Sequence, residues 1–547
     1  MRGTLRLAVP MLLVYAGLIG LTVLGFRAVP AGFIPQQDKG YLVVNAQLPD
    51  GASLERTDAV VAHMDRLARA DPGVAHTLGI PGYSVLTGGG ASNAGGMFVI
   101  LKPFAEREGD PRLSADAVLD RLRRAYDAEI QEAEVGLFGA PPVDGLGSTG
   151  GFTMQVQDTG GLGPGALQAA VANLIERGDA QPGLAGLFTT YSADQPQLHV
   201  DVDRVKAQKE GVDLDAVFDT LQAYLGSAYV NDVTLYNRNW QVNVQADARF
   251  RMRAEDVGRL KVRNAAGDMV PLSTMVTVTE VTGPAAVSHY EGSPSAEVNG
   301  SPAPGTSSGQ AVALMGRIAD RELPALMTYE WTGLTYQQVE ADRDWLTRLV
   351  FPLAVLFVFL VLAAQYESWS LPLAILLIVP MCLLAAIAGV WLAGLDNNIF
   401  TRIGLVVLVG LAAKNAILIV EFAKQREAEG MGRVEATVDA CRTRLRPILM
   451  TSFAFILGVV PLVLARGAGA EMRVGLGVAV FSGMLGVTLF GLVFTPVFYL
   501  AVRWLTDRLG PAPAAPLPVA EVRLPELDGA GVAAVHAINK ADTPRGG

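Results

Sequence analysis

Six apolar stretches, each close to the length that crosses a bilayer, constrain this chain more than any other feature. They run over Leu7–Val29, Leu346–Ala364, Leu371–Leu395, Arg402–Ala423, Ile448–Ala465 and Val474–Val502. About 20 apolar residues suffice to span the hydrocarbon core as a helix. Lipid offers no hydrogen bonds, so a spanning segment must satisfy its own backbone, which an α-helix does. Residues 30–345, between the first and second stretches, are polar enough to fold in water. Composition agrees: of 547 residues, 51% are hydrophobic and yet 18% are charged, with a mean hydropathy of +0.33. Such a chain combines membrane spans with a large water-facing part. The first stretch follows Arg2 and Arg6 but is too long for a secretory leader and lacks a small-residue cleavage site. The expectation is an uncleaved helix.

Basic residues set the orientation, because Lys and Arg concentrate in short cytoplasmic loops. Lys424, Arg426, Arg433, Arg442, Arg444 and Arg446 follow the fourth stretch and are read as one cytoplasmic loop. With six spans both termini are then cytoplasmic, flanked by Arg2 and Arg6 in front and Arg503 and Arg508 behind. Residues 30–345 fall on the other side. A net charge of −10 and a pI of about 5.2 argue against a nucleic-acid partner. Cys382 and Cys441 sit in or beside apolar stretches and form no disulfide framework. The five histidines are scattered without ligand spacing, so no metal site is expected.

Lys414 stands about twelve residues into the fourth stretch, roughly 18 Å along a helix. An ionisable group at that depth marks function by default, and no Asp or Glu lies at comparable depth in another stretch. The alternative is a lysine that snorkels to the interface. Glu421 lies two turns on, near the cytoplasmic end, and Asn415 suits an inter-helix hydrogen bond. Thr451 reads as one turn inside a helix opened by Pro447.

The water-facing part alternates strands and helices. Gly40–Asp50 reads as a strand, Ser53–Asp71 as a helix capped by Ser53, Gly96–Phe104 as a strand and Ser114–Gln131 as an amphipathic helix. The βαββαβ order restarts at Phe152–Asp158, with a helix over Pro164–Gly178 and strands near Phe188 and His199. Two tandem split-βαβ units are expected. A β-rich insertion, residues 197–281, interrupts the second, and Asn231–Ala246 alternates as an edge hairpin does. Leu78–Phe98 joins two strands through a glycine run too rich to be held rigid by local propensity. Residues from Pro511 on are rich in Ala and Pro and read as disordered.

Several motifs carry a family resemblance: Ala364–Leu373 (AQYESWSLPL), Gly410–Lys424 (GLAAKNAILIVEFAK), Arg442–Leu464 (RTRLRPILMTSFAFILGVVPLVL), Val200–Val212 and Ala228–Asp232. From about Leu7 to Leu505 the chain resembles the C-terminal half of a resistance-nodulation-division (RND) efflux transporter of the hydrophobe/amphiphile, AcrB-like branch.

The resemblance implies an α-helical membrane bundle of six spans with a large α+β periplasmic insertion. That insertion comprises tandem split-βαβ (ferredoxin-like) subdomains and a β-rich docking insertion. The implied boundaries are a first helix (1–38), one porter subdomain (39–149), a second (150–196 with 282–338), a docking subdomain (197–281), five helices (339–505) and a disordered cytoplasmic tail (506–547). It implies proton-driven efflux in the inner membrane without a cofactor beyond the proton gradient. The proton relay falls on Lys414, Thr451 and Arg444, opposite an aspartate pair supplied by an N-terminal half. A lysine between two carboxylates stabilises their ionised form, and protonating one loosens its grip. Arg444 also fits the plain positive-inside bias, and Thr451 a satisfied backbone bonder. Leu78, Ile80, Tyr83, Val85 and Phe98 take the positions that line the family's drug pocket; several positions often Phe in the family are aliphatic here. Alternatively, Leu78–Phe98 is a mobile hairpin tip over a core Phe98. Implied partners are a homotrimer, the N-terminal half, a periplasmic adaptor, an outer-membrane channel and amphiphilic small molecules. Other readings stay open: an inactive or scaffold half with a periplasmic binding module, or an exporter of lipid-like substrates. A metal-ion exporter would need clustered Met or carboxylate ligands, and Met97 and Met154 are isolated in sequence.

Overall fold

The computed structural model describes residues 8–509. Arg2, Arg6 and the tail beyond residue 509 lie outside the described residues. Among the described residues, six helices are long and apolar enough to cross a membrane. The first, α1 (Ala8–Ala28), leads directly into the water-facing part.

That part opens with β1 (Tyr41–Gln47), α2 (Leu54–Ala70), β2 (Val74–Ser84), β3 (Gly89–Leu101), α3 (Ala115–Glu129) and β4 (Glu134–Gly139). The Ser53 side chain caps α2 by accepting from Arg56 N, and Ser114 caps α3 in the same way. The sheet order is β2-β3-β1-β4. Alternation along each strand sorts the side chains onto two faces. Leu42, Val44, Met97, Val99 and Leu137 pack on Met64, Leu122 and Tyr126 of the two helices. Tyr41, Val43, Asn45, Phe98 and Phe138 occupy the opposite face, in register across the strands.

A second sheet repeats this order. β5 (Phe152–Asp158), α4 (Pro164–Asp179) and β6 (Leu184–Phe188) begin it. The chain then leaves along β7 (Gln195–Val202), which pairs with the returning β12 (Val276–Gly283). Between them lie β8 (Ala228–Leu235), β9 (Arg238–Val244), β10 (Lys261–Arg263) and β11 (Met269–Pro271). The β8–β9 hairpin is exposed on both faces apart from its first residue, so the alternation read from sequence produces no buried side there. The sheet resumes with β13 (Ser288–Tyr290), β14 (Ser293–Pro302), α5 (Ser308–Glu322) and β15 (Met327–Trp331), in the order β13-β14-β5-β15 with β6 on β14. α6 (Gly333–Arg343) then leads to the remaining spans.

Those spans are α7 (Trp345–Tyr366), the broken pair α8 (Ser370–Leu376) and α9 (Val379–Leu392), α10 (Ile399–Ala428), α11 (Arg433–Val463) and α12 (Ala470–Leu509). α12 packs against α9, α10 and α11. Small residues bring backbones close, as is usual where lipid removes the hydrophobic drive for helix association. A Cβ at Gly486 would overlap Ala385, and one at Gly483 would overlap Leu408.

Three expectations are corrected here. The basic residues after the fourth span do not form a loop: α10 runs to Ala428, α11 starts at Arg433, and only residues 429–432 connect them. Pro447 therefore lies inside α11 rather than opening it, and Thr451 is mid-helix. A proline removes one ladder hydrogen bond, a loss that a helix of 31 residues absorbs. Residues 506–509, expected as the start of the tail, are instead helical at the end of α12, and the rest of that expected tail lies outside the described residues.

Candidate functional site

α10 and α11 run antiparallel, and three side-chain pairs fix their register. Asn415 Nδ2 donates to Ser452 Oγ at 3.1 Å, both residues buried. The Arg444 guanidinium lies 3.7 Å from the centroid of the Phe422 ring, and Arg426 Nε is 3.0 Å from Asp439 Oδ2. This register puts Lys414 and Thr451 at one level and Arg444 two turns nearer the α10–α11 connection.

Lys414 is exposed, not buried among the helices of this chain. The ion pairs of α10 lie at its ends, Arg402 with Asp342, Arg426 with Glu429 and Asp439, and Glu427 with Arg433 and Arg503. Among the described residues no carboxylate lies within ion-pair distance of the Lys414 ammonium, Glu421 included. Around it run Ile403, Val407, Gly410, Lys414, Ile417, Glu421 and Lys424, all exposed or half-buried, at alternating steps of four and three. That is the spacing of a helix-packing seam. Nothing lies within 4 Å of a Cβ built at Gly410, so the seam is open at its middle. Met450, Phe453 and Leu457 continue a similar stripe on α11, at 66%, 53% and 67% exposure. Thr451 is half-buried and its hydroxyl donates to Ile448 O at 3.2 Å, within its own helix. Arg444 Nε is buried without a hydrogen-bond partner among the described residues.

The five candidate pocket residues gather at the other face of the first sheet. Leu78 stands opposite Phe98, and Ile80 opposite Gly96. Phe98 and Tyr41 rings lie 6.3 Å apart. Beyond a bulge at Pro81, the Tyr83–Val85 segment curls back over the sheet: a Cβ at Gly96 would meet Val85 Cγ2 at 2.6 Å. Leu78 is 55% exposed, and Ile80, Tyr83, Val85 and Phe98 are half-buried. The glycine run is thus strand rather than a loose loop. Its backbone is paired with β2, and neighbouring side chains fill the space its missing Cβ atoms leave, Val61 over Gly95 and Val85 over Gly96. Phe98 is no core residue beneath a tip; its half-buried ring forms part of the open face.

Asn45, which sequence reasoning passed over, anchors this arrangement. It is fully buried, and its Oδ1 accepts from Ser84 Oγ at 3.0 Å and Val85 N at 3.1 Å. A polar residue inside the apolar strand YLVVNAQ was the available signal. The open face continues onto the second sheet, where Phe138 meets Phe188 edge to face at 6.4 Å. There it becomes polar. The Glu297 carboxylate accepts from Gln155 Nε2 at 3.0 Å and Asn299 Nδ2 at 2.7 Å. Burial pushes its pKa above the usual Glu value. No group of three or more metal-ligating side chains occurs among the described residues. The two cysteines are free and buried.

Against known proteins, the sequence profile of the AcrB/AcrD/AcrF family matches residues 1–503. The chain is 41% identical over 496 residues to the multidrug export protein AcrF of Escherichia coli, covering 90% of this chain and 47% of that protein. It is 38% identical over 503 residues to the toluene efflux pump membrane transporter TtgB of Pseudomonas putida, covering 92% and 47%. With the multidrug resistance protein MdtF of Escherichia coli it shares 37% over 512 residues, covering 93% and 48%. The chain spans about half the length of the curated relatives it matches.

Proposed function

The chain belongs to the AcrB/AcrD/AcrF family of RND efflux transporters, and from that membership we propose that it acts as one half of a proton-driven exporter of amphiphilic compounds. The observation that carries this reading is the Lys414 seam. A charged residue midway along a membrane helix costs about 3 kcal/mol when unpaired, and this one faces away from its own bundle on a stripe spaced for another helix. The complement is a helix bearing carboxylates, contributed by a segment homologous to the other half of the relatives. With the carboxylates ionised, the ammonium is held. Protonating one weakens the pair, and the helices are then free to shift. Thr451 supplies a hydroxyl that can exchange its own backbone acceptor for the relay. Arg444, stacked on Phe422, holds positive charge at the cytoplasmic mouth.

In the same reading the water-facing part is periplasmic, both termini are cytoplasmic, and the two sheets are split-βαβ porter subdomains. Residues between β7 and β12 form the docking subdomain. Leu78, Ile80, Tyr83, Val85 and Phe98 take the apolar part of the substrate. Partners are the N-terminal half, a homotrimeric assembly, a periplasmic adaptor and an outer-membrane channel.

The test is to co-express the chain with a first half carrying the carboxylate pair and follow efflux of a fluorescent amphiphile under an imposed proton gradient. Lys414→Ala is expected to abolish efflux while the protein stays in the membrane. Efflux that survives the substitution overturns the relay. Efflux by the chain alone overturns an external source for the carboxylates.

A further inference from the structure

The amide of Asn45 is half used. Its oxygen holds the curled tip of the β2–β3 hairpin through Ser84 Oγ and Val85 N. Ser84 Oγ in turn accepts from Thr87 N at 3.3 Å, so the tip is tied to β1 through one side chain. Its nitrogen, Nδ2, is buried and has no hydrogen-bond partner among the described residues. An amide N–H left unpaired in an apolar setting costs on the order of 1–3 kcal/mol, so it is expected to be used.

The surroundings show what it faces. Asn45 pairs across the sheet with Gly96 on one side and Gly136 on the other. Neither neighbouring strand therefore sets a side chain beside it. Val85 folds over Gly96, and the rings of Phe138 and Phe188 lie over Gly136. The unpaired N–H sits between an aliphatic flap and an aromatic wall, in one row with Ile80.

We propose that Asn45 is a specificity residue of the substrate face: its Oδ1 latches the Tyr83–Val85 flap, and its Nδ2–H donates to an acceptor oxygen of an amphiphile that enters beneath the flap. The inference rests on the reading of this face as the substrate surface. The ligand class is an apolar or aromatic body carrying a carbonyl, ether or sulfonyl oxygen. The body packs on Phe98, Phe138 and Ile80, and the oxygen satisfies the amide. A ligand lacking such an oxygen leaves the N–H unpaired and gains only the apolar contact.

The test uses the full chain in detergent with two naphthalene probes: prodan, which carries a ketone oxygen, and N-phenylnaphthylamine, which carries none. Asn45→Leu fills the space without donor or acceptor. It is expected to weaken prodan about tenfold, the scale of one buried hydrogen bond, while N-phenylnaphthylamine changes less than about twofold. Ser84→Ala loosens the flap but keeps the amide, so the preference for prodan should survive it. Independently of any ligand, Asn45→Leu should speed amide exchange at Val85 and Thr87 by at least about tenfold. If both probes bind and their affinity ratio is the same in Asn45→Leu as in the native chain, the donor role is wrong. Unchanged exchange at Val85 overturns the latch. If neither probe binds the native chain, the face is not a substrate surface, and the reading beneath the proposal falls with it.

Discussion

Replacing Arg107 should unfasten the first sheet subdomain from its entry segment, by an amount its contacts allow to be worked out. The Arg107 side chain is 4% exposed and that of Asp38 18%. Nη1 and Nη2 donate to the two Asp38 oxygens at 2.6 and 3.1 Å, Nε donates to Lys102 O at 2.7 Å, and the guanidinium stacks 4.6 Å above Phe104. The pair thus ties the residues before β1 to the turn after β3. Arg107→Met keeps much of the stem packing but strands a carboxylate. Breaking a buried pair from one side costs about 3–5 kcal/mol. Asp38 retains a bond from Gly40 N at 2.9 Å and some water, which places the loss near the bottom of that range.

About 3 kcal/mol corresponds to roughly a 100-fold rise in subdomain opening. Native-state amide exchange at Val99 and Leu101 in β3 reads that opening directly, with Met154 and Val156 in β5 as unaffected controls. Adding Asp38→Asn to Arg107→Met should recover most of the loss, because the stranded charge is gone. A rise below about tenfold, or a double variant no better than Arg107→Met alone, would show that the ion pair does not hold this joint.

Glu297 provides a pH signature. Its folded-state pKa is raised by burial above 4.5, so the second sheet is most stable below the ordinary Glu value and loses that increment as pH rises through the raised value. Glu297→Gln should flatten this slope and slow amide exchange in β14 at neutral pH; a slope that persists would refute the assignment. In the bundle, Asn415→Ala removes the side-chain hydrogen bond that joins α10 to α11 near Lys414. It should cost about 0.6 kcal/mol, at most about 1.7, as inter-helix bonds in lipid do. Steric-trap or unfolding-force measurements that find a loss above about 3 kcal/mol would mean Asn415 does more than bridge two helices.

What the sequence disclosed divides along physical lines. Hydrophobic length is a one-dimensional signal, so the six spans were legible, and Ser53 and Ser114 announced two helix starts correctly. Helix ends were less so. Pro447 reads locally as a first-turn residue, yet α11 begins at Arg433, because packing of Ala436, Ala440 and Cys441 carries the helix past it. Side-chain direction was not legible at all for Lys414. Its depth suggested burial, but which way a lysine points depends on the rotation of α10, and that is set by Asn415 on Ser452 and Leu408 on Gly483. The glycines from Gly88 to Gly96 misled for a related reason. Propensity treats each as a loss of rigidity, whereas pairing with β2 orders the strand and two side chains, Val61 from α2 and Val85 from the facing arm of the hairpin, pack where Gly95 and Gly96 lack a Cβ.

The same consideration explains why the segment after α1 matters more than its composition suggests. Residues 30–38 have almost no regular structure, but nearly every polar contact they make is with something that sits elsewhere. Gly32 N donates to Asn397 O at 3.4 Å, Asn397 N to Pro30 O at 2.9 Å and Ile399 N to Phe33 O at 3.0 Å, which fastens them to the start of α10. Ser307 Oγ donates to Ala31 O at 2.6 Å, and Phe33 N to Ser308 Oγ at 3.2 Å, which fastens them to the start of α5. Asp38 N donates to Glu471 Oε1 at 3.4 Å on α12, while the Asp38 carboxylate holds Arg107. A Cβ at Gly32 would overlap the Asp396 carboxylate, so the crossing with the α10 entry requires glycine. One short stretch therefore meets the helix that carries Lys414, the helix at the bundle centre and both sheets. Under the proposed function, a shift of α10 on proton binding reaches Asn45 along the chain itself, because β1 starts three residues after Asp38, while Arg107 fastens the same segment to the turn after β3.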